Sequence, residues 1–220
     1  LLQLTNQKSP ALGKNMNKQT KPKIPLLKDL KFKVMSWNQI YSSLLELTTL
    51  IKNSNFVPDV IIGVSRGGWV PARILSDLLE NSNLYNVATK FYVGVNQTKY
   101  EPTITQELSG SVEDKTALLV DDLVDSGKSL KLLISYLKNK GTSEVKTATI
   151  FRKPWSVVVP DYCLKETRVW VVFPWDQKET IRNMFENFKS SGNSVDSIKE
   201  KLISVGLNKK IINQIYEELH

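Results

Sequence analysis

The chain has 220 residues, 41% hydrophobic and 24% charged, which suits one large globular domain with room for a small appendage. One cysteine, Cys163, and one histidine, His220, exclude disulfide frameworks, cysteine zinc sites and histidine-based catalysts, so chemistry must run on carboxylates, lysine, hydroxyls, amides or an oxygen-held metal. The net charge of +8 is local: eight lysines against Asp29 alone place +7 of it in residues 1–33.

Residues 1–33 read as an extended basic arm, with Met16 or Met35 as alternative natural starts. The arm alone favours nucleic acid, so nucleic-acid binding is not the expectation. No stretch approaches 18 apolar residues, and the opening lacks the order of a secretory signal. A cytoplasmic chain without membrane association is expected.

Ser36 followed by Gln39 forms a capping-box signal, and Ile40, Leu44, Leu47 and Ile51 keep helical spacing, which predicts a helix over 37–53. "DVIIGV" (59–64) reads as a buried strand, 65–68 as a turn and 70–81 as a helix. A strand is predicted over 87–94. The polar stretch 95–107 reads as a long loop or loose hairpin. "TALLV" (116–120) is a second buried strand, followed by a helix over 128–139 that stops at Gly141. Strands follow at 145–151 and 168–173. Short helices at 177–189, 195–205 and 208–219 close the chain. Apolar strands alternating with helices predict an α/β fold with a mainly parallel, helix-flanked sheet. The expected division is arm 1–33, main domain 34–176 and a three-helix module 177–220.

The stretch "ALLVDDLVDSGKSL" (117–130) carries the chemistry. A buried strand ends in Asp121 and Asp122, then Asp125, Ser126, Gly127, Lys128 and Ser129 open a helix. Ligands bind at the carboxyl ends of strands in such sheets. The amides of 126–129 suit a phosphate, and the paired acids suit a sugar diol. Two acids at a buried strand end are costly unless something uses them. The implied ligand is a 5-phosphoribosyl group. A nucleotide P-loop would need glycine where Asp122 stands.

This stretch resembles the phosphoribosyl-diphosphate (PRPP) motif of type I phosphoribosyltransferases. The resemblance implies that Asp121 and Asp122 hold the ribose hydroxyls and that 125–129 hold the 5′-phosphate. "IIGVSRGGWVPA" (61–72) resembles the pyrophosphate loop of the purine members. There Ser65, Arg66 and Gly67 would bind pyrophosphate, with a cis Ser65–Arg66 peptide. Asp125 sits where 6-oxopurine members carry the aspartate that handles the purine N7 proton, a role compatible with helix N-capping.

In "IFRKPW" (150–155), Lys153 resembles the lysine that donates to the exocyclic oxygen. In "VWVVFPWD" (169–176), Trp170 resembles the stacking aromatic, the Val171 backbone the base edge, and Asp176 an acid near a magnesium site. Trp175 reads as core. The loop 95–107 is the candidate lid, with Tyr100 its ordered contact. Local residues imply a 6-oxopurine. The three-helix tail resembles crenarchaeal adenine phosphoribosyltransferases and tips the expectation to adenine, with a 6-oxopurine enzyme as the alternative and a purine- or PRPP-sensing regulator behind it. The resemblance implies Mg2+ as cofactor and PRPP, a purine base, a nucleoside monophosphate and pyrophosphate as ligands of a homodimer.

Overall fold

The computed structural model describes residues 31–93 and 100–219. In chain order the elements are β1 (Phe32–Val34), α1 (Trp37–Asn53), β2 (Val60–Ser65), α2 (Trp69–Leu78), β3 (Leu84–Val93), β4 (Tyr100–Gln106), β5 (Thr116–Val124), α3 (Lys128–Asn139), β6 (Glu144–Arg152), β7 (Tyr162–Glu166), β8 (Trp170–Val172), α4 (Gln177–Ser190), α5 (Val195–Ser204) and α6 (Lys209–Glu218). The main sheet runs β4-β3-β2-β5-β6-β7. Its neighbours are parallel except β3 with β4.

Strand alternation explains the layers. Ile61 of β2 and Leu118 and Val120 of β5 face α1 and α2, where Ile40, Leu44, Leu47 and Leu75 are buried. Their neighbours Val60, Ile62, Val64, Ala117 and Leu119 face α3 and its Leu130, Leu133 and Leu137. The capping box of α1 forms as expected: Ser36 Oγ accepts from the Gln39 amide, and Gln39 Oε1 accepts from the Ser36 amide at 2.9 Å. The chain is an α/β protein with a mostly parallel sheet flanked by helices.

A separate core joins α4, α5 and α6 through Ile181, Phe185, Phe188, Ile198, Leu202, Ile212 and Ile215. The hinge between the two cores is β8. Val171 packs into the sheet's core and Val172 into that of the helices, because successive strand residues point to opposite sides.

Four features differ from the sequence expectation. The strand expected over 168–173 leaves the main sheet, and its ordered part, β8, pairs in parallel with β1, Phe32 opposite Trp170 and Val34 opposite Val172. β1 lies across the boundary drawn between residues 33 and 34, and Phe32 and Val34 pack against the C-terminal core. Three residues half-buried by a distant partner carry no periodic signal. Within 95–107, residues 100–106 form β4, an edge strand that tolerates Pro102; the rest of the proposed lid up to residue 99 lies outside the described residues, as do residues 1–30 of the arm and the side chain of Tyr100. Finally β7, "YCLKE", is too polar to read as a strand, yet it completes the far edge on β6. Among the described residues no helix is long and apolar enough to cross a membrane.

Candidate active site

The carboxyl ends of β2 and β5 meet at one rim of the sheet. Asp121 and Asp122 stand at the end of the apolar run of β5, both half-buried. The Asp122 amide donates to Asp121 Oδ1 at 3.0 Å, and the Leu123 amide to Asp122 Oδ1 at 2.7 Å. Trp175 Nε1 donates to Asp122 Oδ2 at 3.2 Å. Burial, and then the charge of Asp122, push the Asp121 carboxyl well above the ordinary range. Burial also raises Asp122, against the pull of the Trp175 and Leu123 hydrogen bonds. Such a pair gains when hydroxyl donors reach it, because two close carboxylates lack enough donors to share.

The turn into α3 follows at once. Gly127 takes a left-handed conformation (φ 77) as N-cap of α3, so the cap brings no side chain to the helix N-terminus. A Cβ at Gly127 would lie 2.5 Å from Ser156 Oγ and 2.9 Å from the Val158 nitrogen. Glycine is therefore required twice, by conformation and by space. Ser126 Oγ accepts from the Lys128 amide at 3.4 Å, and the Lys128 ammonium pairs with Glu101 of β4 at 2.9 Å. The cap is Gly127 rather than Asp125, which corrects the capping reading. Asp125 instead accepts from Trp155 Nε1 at 2.8 Å.

The loop after β2 lies against the acids. Its Ser65–Arg66 peptide is cis, as the resemblance implies. A Cβ at Gly67 would overlap the Asp122 carboxylate, and one at Gly68 would overlap the Val120 carbonyl oxygen. Asn86 Nδ2 donates to Ser65 Oγ at 3.4 Å. The Arg66 guanidinium projects into solvent and pairs with Glu179 of α4 at 2.5 Å.

The third wall holds Lys153, Trp170 and Val171. Lys153 is 5% exposed, its Nζ donates to the Val169 carbonyl, and it lies 5.5 Å from the Trp155 ring centre. Burial lowers its basicity, and the nearby Asp125 carboxylate partly restores it. Trp170 is 55% exposed, which leaves its ring available for stacking. Val171 is buried, its backbone held opposite Lys33 of β1. Trp175 stacks on Phe173, centroids 4.8 Å apart. It is thus core on one face and a hydrogen-bond donor to the site at its edge.

A cavity of about 500 Å³ lies between the loop after β2, Asp122 and α4, lined by Arg66, Gly67, Asp122, Trp170, Asp176 and Glu179 among others. A wider hollow of about 820 Å³ opens at the amino ends of β2 and β5, near Asp59 and Lys115, and contains none of these groups. The Asp176 carboxyl, which accepts from the Phe173 amide at 2.9 Å, is pushed up to about 6 by burial, then by the charges of Asp122 and Glu179. Unbalanced oxygen donors at a cavity wall fit a hard divalent cation. Among the described residues no three metal-ligating side chains converge, so such a cation would also need oxygens from substrate.

The structure therefore gathers Asp121 and Asp122, the turn 126–129, the loop 65–68 and the wall of Lys153 and Trp170 at one rim. Sequence reasoning missed Trp155, the second role of Trp175, and Glu179. "KPW" and "PWD" were both in view, but an isolated tryptophan carries no sign of what its N–H will meet.

Residues 36–180 match the model of the phosphoribosyl transferase domain. The chain is 28% identical over 149 residues to the xanthine-guanine phosphoribosyltransferase of Gluconobacter oxydans, covering 66% of this chain and 84% of that protein. It is 31% identical over 153 residues to the enzyme of the same name from Cereibacter sphaeroides, covering 64% and 85%. Among solved structures, a purine phosphoribosyltransferase from Pyrococcus horikoshii superimposes with a TM-score of 0.60 at 38% identity, covering 66% of this chain and 94% of that one.

Proposed function

Because the chain belongs to the phosphoribosyl transferase domain family, we propose that it transfers the 5-phosphoribosyl group of PRPP to a 6-oxopurine, forming a nucleoside monophosphate and releasing pyrophosphate. The adenine preference suggested by the helical tail gives way to the alternative. The relatives named above are xanthine-guanine phosphoribosyltransferases, which supports the 6-oxopurine reading. The observation that carries the choice is the Lys153 ammonium on the wall beside Trp170, its Nζ donating to the Val169 carbonyl. An ammonium has three donors. One engages Val169 O, so others remain for an exocyclic purine oxygen. An adenine amino group would offer that ammonium a donor instead of an acceptor.

Asp121 and Asp122 accept hydrogen bonds from the ribose hydroxyls. The amides and hydroxyls of 126–129, with Gly127 shaping the turn, hold the 5′-phosphate, and Ser65, Arg66 and Gly67 address the pyrophosphate. As N9 attacks C1′ and the C1′–oxygen bond to pyrophosphate breaks, Asp125 manages the proton at N7. Trp170 stacks on the purine and the Val171 backbone meets its edge. Asp176 would hold Mg2+, which supplies charge neutralisation to the departing pyrophosphate. The stretch 95–107, with Tyr100, would exclude water, since hydrolysis of PRPP competes. The homodimer and the cytoplasmic location belong to the same proposal.

The test is direct. Purified chain with Mg2+ and PRPP is offered xanthine, guanine, hypoxanthine and adenine separately, and nucleotide formation is measured. Turnover of 6-oxopurines well above that of adenine supports the reading; turnover of adenine alone overturns it.

A further inference from the structure

The segment after β6 runs beside the phosphate loop and is tied to it at successive points. The Lys153 amide donates to the Val124 carbonyl at 2.9 Å, and the Val157 amide to the Ser126 carbonyl at 3.0 Å. Between these anchors, Trp155 Nε1 donates to Asp125 Oδ1 at 2.8 Å. Ser156 Oγ donates to the Val158 carbonyl at 2.8 Å and occupies the space a side chain at Gly127 would need. The Trp155 ring is 53% exposed, so burial does not explain its placement. A large aromatic left half in water is held by specific contacts, here one carboxylate and the ammonium of Lys153.

We propose that Trp155 is a positioning residue for the transfer, its indole N–H fixing the Asp125 carboxylate with Oδ2 left for the purine N7. The inference rests on the role of Asp125 given above. An indole N–H is a donor only. It can orient a carboxylate, and it can neither take the N7 proton nor compete as an acceptor. The same segment supplies Lys153, so one stretch of backbone, latched to 124–126, sets the spacing between the group that meets N7 and the group that meets the exocyclic oxygen.

The experiment is a double-mutant cycle on the full chain, with steady-state kinetics and thermal unfolding for wild type, Trp155→Phe, Asp125→Asn and the double variant. Phenylalanine keeps an aromatic ring beside Lys153 and removes the donor with the pyrrole half of the indole. Trp155→Phe should lower kcat about tenfold, the effect of losing one hydrogen bond to a charged group. KM for PRPP and the unfolding midpoint should stay near wild type. The double variant should be no slower than Asp125→Asn alone. A wild-type kcat in Trp155→Phe, an equal proportional rise in KM for PRPP, or a further tenfold loss in the Asp125→Asn background overturns the inference. An impaired Asp125→Asn beside an unimpaired Trp155→Phe overturns it alone. An Asp125→Asn that turns over like wild type overturns the role of Asp125 itself, and the role of Trp155 with it.

Discussion

At the scale of single residues, the proposed reaction separates groups that bind from groups that act. Asp125→Asn should cut kcat by about a hundredfold, the size of a lost proton-transfer group, with KM for PRPP little changed; a matched loss in both would move Asp125 into the binding set. Lys153→Met removes the donors facing the exocyclic oxygen and keeps the stem. It should raise KM for guanine about tenfold or more and narrow the preference over adenine. Asp121 gives the clearest pH dependence. Its folded carboxyl titrates well above the ordinary range because it is buried beside Asp122, so the folded chain holds a proton that the unfolded chain has released. Stability then falls as pH rises from about 4 through the folded value. Asp121→Asn should unfold later than wild type at pH 7, lose that advantage near pH 4, and bind PRPP poorly. Melting curves across pH, set beside KM for PRPP, check both halves.

At the scale of elements, the loop between β2 and α2 shows what close approach demands. Gly67 faces the Asp122 carboxylate and Gly68 faces backbone of β5, and the two neighbours differ in how far they can give. Gly68→Ala meets a carbonyl in a central strand and should lower stability by about 1–3 kcal/mol, read as an earlier unfolding midpoint. Gly67→Ala meets a side chain that can turn. It should fold nearly normally yet lose most activity, since turning Asp122 disturbs the proposed ribose acceptor and the loop against it together. The hairpin is tied to the phosphate loop by Lys128 and Glu101, an exposed pair of small energetic weight. Its use is to couple β4 with α3, so Glu101→Gln should affect PRPP hydrolysis in the absence of base more than it affects folding.

At the scale of the whole molecule, α4 is wall as well as appendage, and α5 and α6 pack behind it. Glu179, Thr180 and Asn183 of α4 line the cavity that reaches Gly67 and Asp122, and Val172, Phe32 and Val34 pack on the helices. A chain ending at residue 176 would uncover Val172, fully buried in the intact protein, together with its partners on β1. Such a truncation should aggregate or unfold far below the full chain's midpoint. A truncated chain that is monodisperse and active would show instead that the helices are dispensable for this pocket.

Local order made much of this protein legible in the sequence. The capped helix from Trp37, the buried strands β2 and β5, and the three C-terminal helices each announce themselves through periodicity and caps within about one turn or one strand of chain. The motifs at 61–72 and 117–130 were equally readable, because a glycine turn or a paired acid needs only its neighbours to make sense. Tertiary structure alone decided the rest. It placed β1 on β8 across more than half the chain, split Val171 and Val172 between two cores, turned "YCLKE" into an edge strand, and brought the indoles of Trp155 and Trp175 to Asp125 and Asp122. These contacts join residues far apart in sequence, and a side-chain donor has no period or composition from which its distant acceptor can be read.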